Sequence, residues 1–425
     1  MNERALLSRR SVLRLLGLGG GAMLMAACSQ SAPASPTAAP AKPAGGSTAP
    51  AASPAAAASP GAAASPGAAA SPAAAGNTAP AVVGAVSDSE WNSIVEAARK
   101  EGTVSVATYA GTAHRKVLDV FEAAYPGIKV EHTQFQSSSR DYVPRLLQEQ
   151  KAGLYSWDLA YMPLQEMIRQ VKPAGGLDPV RPNIVRAEAL DDKGWIDSYL
   201  DGYPDDDKQW GYALDKNRFK ATWINTDLVK EGEVTKFSDL LDPKWRGKFL
   251  IGDPRTKGQG FLAFTAIRAK LGNEAMQTII KDQEAAVSVD ARQLTEFMIR
   301  GRYAVSIGAI DVPILKDFQT QGLGNNVKNI PMVETDYVNA GNQTMWLIKN
   351  APHPNAAKVL MNWSLGKDSG AVRSQNIEEN SRRSDVPVFD ASMALQPGVQ
   401  YVFVDSEAML DEIEKTQKFA KDLIN

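Results

Sequence analysis

The 425-residue sequence has a single cysteine and only three histidines. One cysteine excludes a disulfide within the chain and a zinc site made of four thiolates. Three histidines leave little material for a Ser-His-Asp triad or a histidine-zinc centre, and the sequence has no G-x-S-x-G, H-E-x-x-H or Walker motif. A formal net charge of −2 offers no excess of basic residues to neutralise phosphates. We therefore expect neither an enzyme nor a nucleic-acid-binding protein.

The amino terminus combines arginines with a short apolar run. Ser8–Arg14 resembles the twin-arginine export signal of bacteria, and the run Leu15–Ala27 is too short to span a bilayer. Met25–Cys28 resembles a lipoprotein cleavage box, with Cys28 where acyl chains would be attached. We therefore expect residues 1–28 to be a twin-arginine lipoprotein signal peptide. The protein would then lie outside the cytoplasmic membrane, in the periplasm or at the cell surface, with a lipid anchor on Cys28.

Residues 29–86 consist almost wholly of Ala, Pro, Ser, Gly and Thr, and Ser-Pro pairs recur at 53, 59, 65 and 71. Each proline lacks a main-chain donor and disfavours the helical conformation of the residue before it. The stretch has almost no large apolar side chains from which a core could be built. We expect a disordered linker between the anchor and a folded domain.

Residues 87–425 alternate helical and strand patterns. Ser87–Glu90 is a capping box, and apolar residues at helical spacing follow it. Strand patterns are found at Thr103–Tyr109, Ile128–Thr133 and Trp157–Tyr161, with helical patterns between them. This β-α-β-α-β order predicts parallel strands with helices on the sheet faces.

A second alternation includes strand patterns at Lys248–Ile251 and Tyr303–Ile307. Extended stretches around 210–227 and at Thr344–Ile348 connect the two α/β units, which predicts two lobes around a cleft. We place one lobe at about 87–212 plus 341–390 and the other at about 213–340. The C-terminal helices of 391–425 are expected to pack back on the second lobe.

Three segments resemble the periplasmic solute-binding proteins of ABC importers, in the branch that contains ferric-iron, thiamine and phosphonate binders. They are Asp239–Gly260, with the run "DPKWRGK" followed by "DPRTKGQG", then Gly301–Gly308, and Leu347–Val359. The resemblance implies an α/β, two-lobed periplasmic-binding-protein fold of type II-like topology, with hinge strands and a ligand cleft between the lobes. It implies capture of a small molecule or ion without catalysis, delivery to an ABC permease, and a monomeric protein without a resident cofactor.

The resemblance does not identify the solute. Ferric binders of this family typically have two adjacent tyrosines after the strand that matches Tyr303–Ile307, where this chain has Gly308–Val312. No two tyrosines are adjacent anywhere in the sequence, and His114 stands one residue late for the family's histidine. Iron(III), an iron chelate and a small anionic or organic compound all stay open as ligands, and metal ligands are not assigned.

Candidate ligand contacts follow from the ends of the strands and the starts of the helices. Thr256–Gly260 lies between a strand and a helix, where free amides and glycines can bind an anion. Residues of these types are also common as ordinary helix caps. Tyrosines at strand ends, here Tyr109 and Tyr161, are also common as packing residues. The candidate ligand-binding residues are Tyr109, Ser137, Ser138, Ser139, Tyr161, Thr256, Gly258, Gln259 and Asp311.

Two further functions stay open at this point. A lipoprotein of this kind could sense a ligand and present its closed form to a membrane sensor, or serve as a scaffold for a partner. An exported enzyme is the other alternative, although the motifs of the common hydrolases and metalloenzymes are absent.

Overall fold

A computed structural model describes residues 84–340 and 344–424. The expected signal peptide, Cys28 and the linker up to residue 83 lie outside the described residues, and so does the side chain of Ser139. In the described part, none of the helices has the length and apolar character needed to cross a membrane.

Helices and short strands alternate along the described chain. The helices are α1 (Asp88–Glu101), α2 (Thr112–Ala124), α3 (Val143–Lys151), α4 (Leu164–Glu166), α5 (Ala187–Leu190), α6 (Gln259–Gln277), α7 (Ala291–Ile299), α8 (Val312–Thr320), α9 (Pro354–Ser364), α10 (Lys367–Ile377) and α11 (Leu410–Leu423). The strands are β1 (Thr103–Tyr109), β2 (Lys129–Phe135), β3 (Leu159–Tyr161), β4 (Leu177–Asp178), β5 (Gly211–Ala213), β6 (Asn217–Phe219), β7 (Thr222–Asn225), β8 (Phe249–Gly252), β9 (Ala286–Ser288), β10 (Val305–Ile307), β11 (Val327–Asn329), β12 (Tyr337–Asn339), β13 (Thr344–Ile348) and β14 (Val402–Phe403).

The six-stranded sheet has the order β2-β1-β3-β13-β4, and β5 also pairs with β13. β1 is parallel to β2 and β3, as the β-α-β-α-β pattern predicted, whereas β13 runs antiparallel to its neighbours. Ser87 caps α1 through the expected capping box with Glu90. Apolar side chains from α1, α2 and α9 cover one face of this sheet, and those near α3 cover the other.

The five-stranded sheet has the order β11-β7-β10-β8-β9. Its strands β10, β8 and the edge strand β9 are parallel. The strands β8, β9 and β10 lead through short loops into α6, α7 and α8, respectively. The carboxyl ends of these strands meet at one edge of the sheet, so the amino-terminal ends of the three helices gather there.

A three-stranded sheet, β14-β12-β6, lies on the chain between the two larger sheets. The chain passes from β5 through β6 to β7, and returns from β11 through β12 to β13. β14 joins these crossing strands, and α11 then packs along α6. The division into lobes at 213 and 340 falls close to the crossings but stays a prediction.

Several local predictions differ from the structure. The helix predicted between the strand patterns at Ile128–Thr133 and Trp157–Tyr161 begins with a π-helical turn at Ser138–Tyr142, which continues into α3. The helix α8 and the strand β9 have no clear pattern in the sequence. β9 is short and only half-buried, so it has little hydrophobic pattern, and Pro313 near the start of α8 resembles a turn signal although proline is well suited to a first helical turn.

Candidate functional site

Two neighbouring cavities lie at the strand ends, and Lys257 lines both of them. The first, which we call the amide cavity, has a volume of about 610 Å³ and lies where β8, β9 and β10 end. Its lining includes Gly252, Thr256, Gly258, Gln259, Gly260, Ser288, Gly308 and Asp311. The second, the serine cavity, has a volume of about 860 Å³. Its lining includes Tyr109, Ser137, Ser138, Arg140, Glu166 and Asp405.

Three glycines bring the start of α6 against the ends of β8 and β10. A Cβ atom on Gly260 would lie 2.2 Å from the carbonyl oxygen of Gly252, and one on Gly252 would lie 2.1 Å from the carbonyl oxygen of Gly308. Gly308 also has a φ of +58°, which a side chain disfavours. The floor of the amide cavity is therefore made of main chain, which any side chain at these positions would displace.

The three helices that begin at this edge differ in how their first turns are capped. Asp290 accepts a hydrogen bond from the Gln293 amide at the start of α7, and Asp311 accepts one from the Ile314 amide at the start of α8. At α6 the capping residue is Gly258, which has no side chain to accept one. The amides of Gln259, Gly260 and Phe261 consequently have no hydrogen-bond acceptor among the described residues.

This difference leaves a positive electrostatic potential at the start of α6, beside the amide cavity. Unpaired amides at the start of a long helix carry a partial positive charge, and Lys257 adds a full charge beside them. Thr256, Gly258 and Gln259 lie here together, as the sequence predicted for an anion-binding turn. Asp311 lines the same cavity, but one of its oxygens caps α8.

An ion pair closes the boundary between the two cavities. Lys257 Nζ lies 2.5 Å from Glu166 Oε1, and the Ser138 hydroxyl donates to Glu166 Oε2 at 3.2 Å. The Glu166 side chain is 9% exposed, whereas that of Lys257 is 64% exposed. Glu166 ends α4, which follows the six-stranded sheet, and Lys257 precedes α6 of the five-stranded sheet, so the pair connects the two α/β units.

The predicted serines lie in the serine cavity. Ser137 is buried and accepts a hydrogen bond from the Arg140 amide at the start of the π-helical turn. Ser138 is also buried and bonds to Glu166, so both hydroxyls already have partners in the protein. Arg140 is exposed at the rim of the cavity, where it adds positive charge.

Tyr109 and Tyr161 do not lie together, in contrast to the sequence expectation. Tyr109 lines the serine cavity, whereas Tyr161 is 6% exposed and its hydroxyl bonds to Ser364 at 2.8 Å in a separate cavity. The cause is strand register, since Thr108, not Tyr109, pairs with Tyr161. Adjacent residues of a strand point to opposite faces, so Tyr161 faces away from the two cavities that hold the other predicted residues.

Asp405 and the glycines Gly252 and Gly308 line the two cavities but were not among the predicted site residues. Asp405 follows β14, accepts a hydrogen bond from the Ala340 amide at 3.1 Å and lines the serine cavity. Burial raises the pKa of Asp405 to about 7. No sequence signal joins Asp405 to Ser137 or Lys257, because only the crossing strands bring these segments together.

The described residues contain no group of three or more His, Cys, Asp or Glu side chains that could hold a metal ion. Tyr109 is the tyrosine that lines the serine cavity, and Glu166 there is already paired with Lys257. His114 lies in the separate cavity with Tyr161, where burial lowers its pKa to about 4. These positions do not form the carboxylate, histidine and tyrosine set that a bare ferric ion would need.

Solved structures with a similar fold include two ferric-iron-binding proteins. The ferric binding protein of Bordetella is 16% identical with a TM-score of 0.58, and ferric iron-binding protein A of Mannheimia haemolytica is 14% identical with a TM-score of 0.57. In both comparisons the match covers 76% of this chain and 98% of the other. An ABC transporter protein of Clostridium perfringens is 16% identical with a TM-score of 0.58, over 76% of this chain and 100% of its own. These likenesses show the α/β, two-lobed periplasmic-binding-protein fold.

No curated protein sequence matches the chain significantly. The family of bacterial extracellular solute-binding proteins matches residues 116–377, which is more than half of the sequence. Proteins of this kind bind solutes for transport and are not enzymes, in agreement with the sequence prediction. The chain belongs to the family of bacterial extracellular solute-binding proteins.

Proposed function

We propose that this chain is the membrane-anchored substrate-binding protein of an ABC importer, and that it captures a small solute carrying an oxyanion group. The group would be a carboxylate, a phosphate or a phosphonate. The observation that carries the proposal is the uncapped start of α6, where the amides of Gln259 and Gly260 border a cavity beside Lys257 and have no acceptor among the described residues.

The proposed binding mode follows from the charges around that cavity. An oxyanion seated on the amides of Gln259 and Gly260 accepts several hydrogen bonds at once, and it gains the charge of Lys257. An added Cβ on Gly258 would have no atom within 4 Å, so a ligand can approach the main chain there. Asp290 and Asp311 occupy the starts of α7 and α8, so the start of α6 is the place where an anion meets least repulsion.

Transport requires that the occupied protein differ from the empty one. In the proposed cycle the solute bridges the strand ends of the two α/β units, and the crossing strands β6 and β12 act as the hinge. The closed form is then recognised by the permease. A single chain contains both sides of the cleft, so we propose that it acts as a monomer.

Membrane attachment rests on the amino-terminal sequence. A lipid on Cys28 and the linker of 29–86 would hold the domain near the permease, outside the cytoplasmic membrane after twin-arginine export. Labelling of cells with a radioactive fatty acid tests this, because the full chain should be labelled and a Cys28→Ser variant should be released unlabelled. Labelling of the variant would refute attachment at Cys28.

Ligand binding is tested by thermal unfolding of the full chain with a panel of compounds. The panel contains phosphate, methylphosphonate, citrate, iron(III), iron(III) citrate and thiamine, with glycerol as an uncharged control. A ligand at a hundredfold excess over its Kd should stabilise the folded protein by about 2.7 kcal/mol. We expect stabilisation by at least one free oxyanion and none by glycerol. Stabilisation by iron(III) alone, or by none of the oxyanions, would overturn the proposed ligand class.

A further inference from the structure

Asp405 is held rigidly at the edge of the serine cavity by the crossing sheet. The Val404 amide donates to the Val338 carbonyl at 3.0 Å, and the Ala340 amide donates to Asp405 Oδ2 at 3.1 Å. These bonds connect the residues after β14 to those of β12, and they leave Asp405 9% exposed. The carboxyl group is therefore fixed in position and almost removed from bulk water.

Asp405 has no cation beside it in the described part of the chain, in contrast to Glu166 and Asp253 on the walls of the same two cavities. Glu166 is paired with Lys257, and Asp253 is paired with Arg255 at 2.8 Å. Among the described residues, no Lys, Arg or His lies within ion-pair distance of Asp405, and its one hydrogen bond comes from Ala340. Burial of a carboxylate without a positive partner is unfavourable, and its raised pKa reflects this.

The buried Asp405 carboxyl group is unfavourable for folding, and its presence at the cavity wall is explained if the ligand supplies the missing positive charge. The serine cavity and the amide cavity are neighbours that share Lys257 in their linings. A small molecule that displaces Lys257 from Glu166 would extend from Asp405 to the start of α6. The two ends of this space have opposite character, with amides and Lys257 at one end and an unpaired carboxyl at the other.

We propose that Asp405 determines specificity by receiving a protonated amine of the solute, whose oxyanion lies on the amides of α6. The solute is then a short zwitterion with an amine and a carboxylate, phosphate or phosphonate. This inference rests on the proposed function, since it assumes an oxyanion at the amide cavity. Asp405 also lies beyond residues 116–377, the part of the chain that matches the family.

The test compares matched pairs of probes by calorimetry on the full chain. Each pair consists of an ω-aminoalkylphosphonate with one to four carbons and the alkylphosphonate of the same length without the amine. For the alkyl chain length that fits the site best, we expect the compound with the amine to have a Kd at least tenfold lower than that of its partner without the amine. Asp405→Asn keeps the size of the side chain and an acceptor for the Ala340 amide, and it should reduce the difference within the pair to less than threefold.

Asp178→Asn is the matched control. Asp178 pairs with Lys349 at 2.8 Å and lines neither cavity, so removal of its charge should leave the tenfold preference intact. If alkylphosphonates bind but the amine adds nothing in the wild type, the inference about Asp405 is wrong and the proposed function stands. The same conclusion follows if Asp405→Asn, shown to be folded by circular dichroism, keeps the full preference. If neither series binds, the inference about Asp405 is overturned, and the proposed function is overturned as well only if no oxyanion of the thermal-unfolding panel binds.

Discussion

Lys257 and Glu166 form an ion pair with an Nζ–Oε1 distance of 2.5 Å across the boundary between the two cavities. The pair has consequences for binding, because an oxyanion at the start of α6 and the Glu166 carboxylate compete for the same ammonium group. The exposed position of Lys257 allows it to reorient from one partner to the other.

The first prediction is that the two partners affect oxyanion binding in opposite directions. Hydrogen bonds to charged groups contribute about 1.5–3 kcal/mol, so Lys257→Ala should weaken binding of the panel's best oxyanion about tenfold or more. Glu166→Gln should tighten it, because the competing charge is removed while an acceptor for Ser138 is retained. Calorimetry measures both affinities. Lys230→Ala, an exposed lysine away from the cavities, should leave the affinity unchanged; weaker binding with Glu166→Gln would argue against competition.

The second prediction concerns the glycine contact at the floor of the amide cavity. A methyl group at Gly260 would lie 2.2 Å from the Gly252 carbonyl oxygen, and main chain cannot move aside as a flexible side chain can. Gly260→Ala should therefore destabilise the fold by about 1–3 kcal/mol. Chemical denaturation measures the change. Gly84→Ala is the control, since no atom lies within 4 Å of its added Cβ, and equal stability of the two variants would refute the close contact.

Local patterns predicted the elements that present the site. The capping box at Ser87, the strand at Thr103–Tyr109 and the strand-to-helix turn at Thr256–Gly260 could be predicted, because each depends on a few neighbouring residues. The extended stretches at 210–227 and Thr344–Ile348 were expected to connect two α/β units. In the structure β6 and β12 lie on the chain between the two larger sheets, and β13 then enters the six-stranded sheet.

Features that depend on pairing across the chain could not be predicted in the same way. The placement of Tyr161 depends on its register with Thr108, which a single strand pattern does not contain. Gly252 and Gly308 look like ordinary glycines until the sheet brings them to Gly260. Asp405 reaches the serine cavity only because β14 pairs with β12, and β14 is two residues long.

The third prediction is a pH dependence of stability due to His114. Burial, assisted by the charge of His132, lowers the pKa of His114 to about 4, compared with about 6.5 in an unfolded chain. Between these values the unfolded state binds a proton that the folded state does not, so the stabilising contribution is complete above about pH 6.5 and is lost as the pH falls toward 4. The loss amounts to at most about 3 kcal/mol.

Replacement of His114 by glutamine tests this dependence. The variant cannot take up the proton, so its free energy of unfolding should decline less steeply than that of the wild type between pH 6.5 and 4. Urea denaturation at half-unit steps of pH provides the two curves. Between pH 7 and 8 the curves should run parallel, and parallel curves in the acid range as well would exclude His114 as the cause.

The fourth prediction concerns a buried ion pair in the crossing sheet. Arg218 of β6 lies 3.0 Å from Asp336, which precedes β12, and the two side chains are 7% and 0% exposed. Asp336 also accepts a hydrogen bond from the Ala221 amide. Removal of the arginine leaves a buried charge without a partner, so Arg218→Met should destabilise the protein by about 3–5 kcal/mol.

A surface pair provides the comparison for Arg218. Arg300 lies 3.5 Å from Glu296, but its side chain is 75% exposed, so water screens the attraction and Arg300→Ala should change stability by less than about 1 kcal/mol. Guanidinium denaturation compares both variants with the wild type. Because Arg218 lies on a strand that connects the two larger sheets, its replacement should also lower the cooperativity of unfolding, seen as a smaller dependence of free energy on denaturant. Equal losses for the two arginines would mean that the pair between Arg218 and Asp336 does not stabilise the crossing.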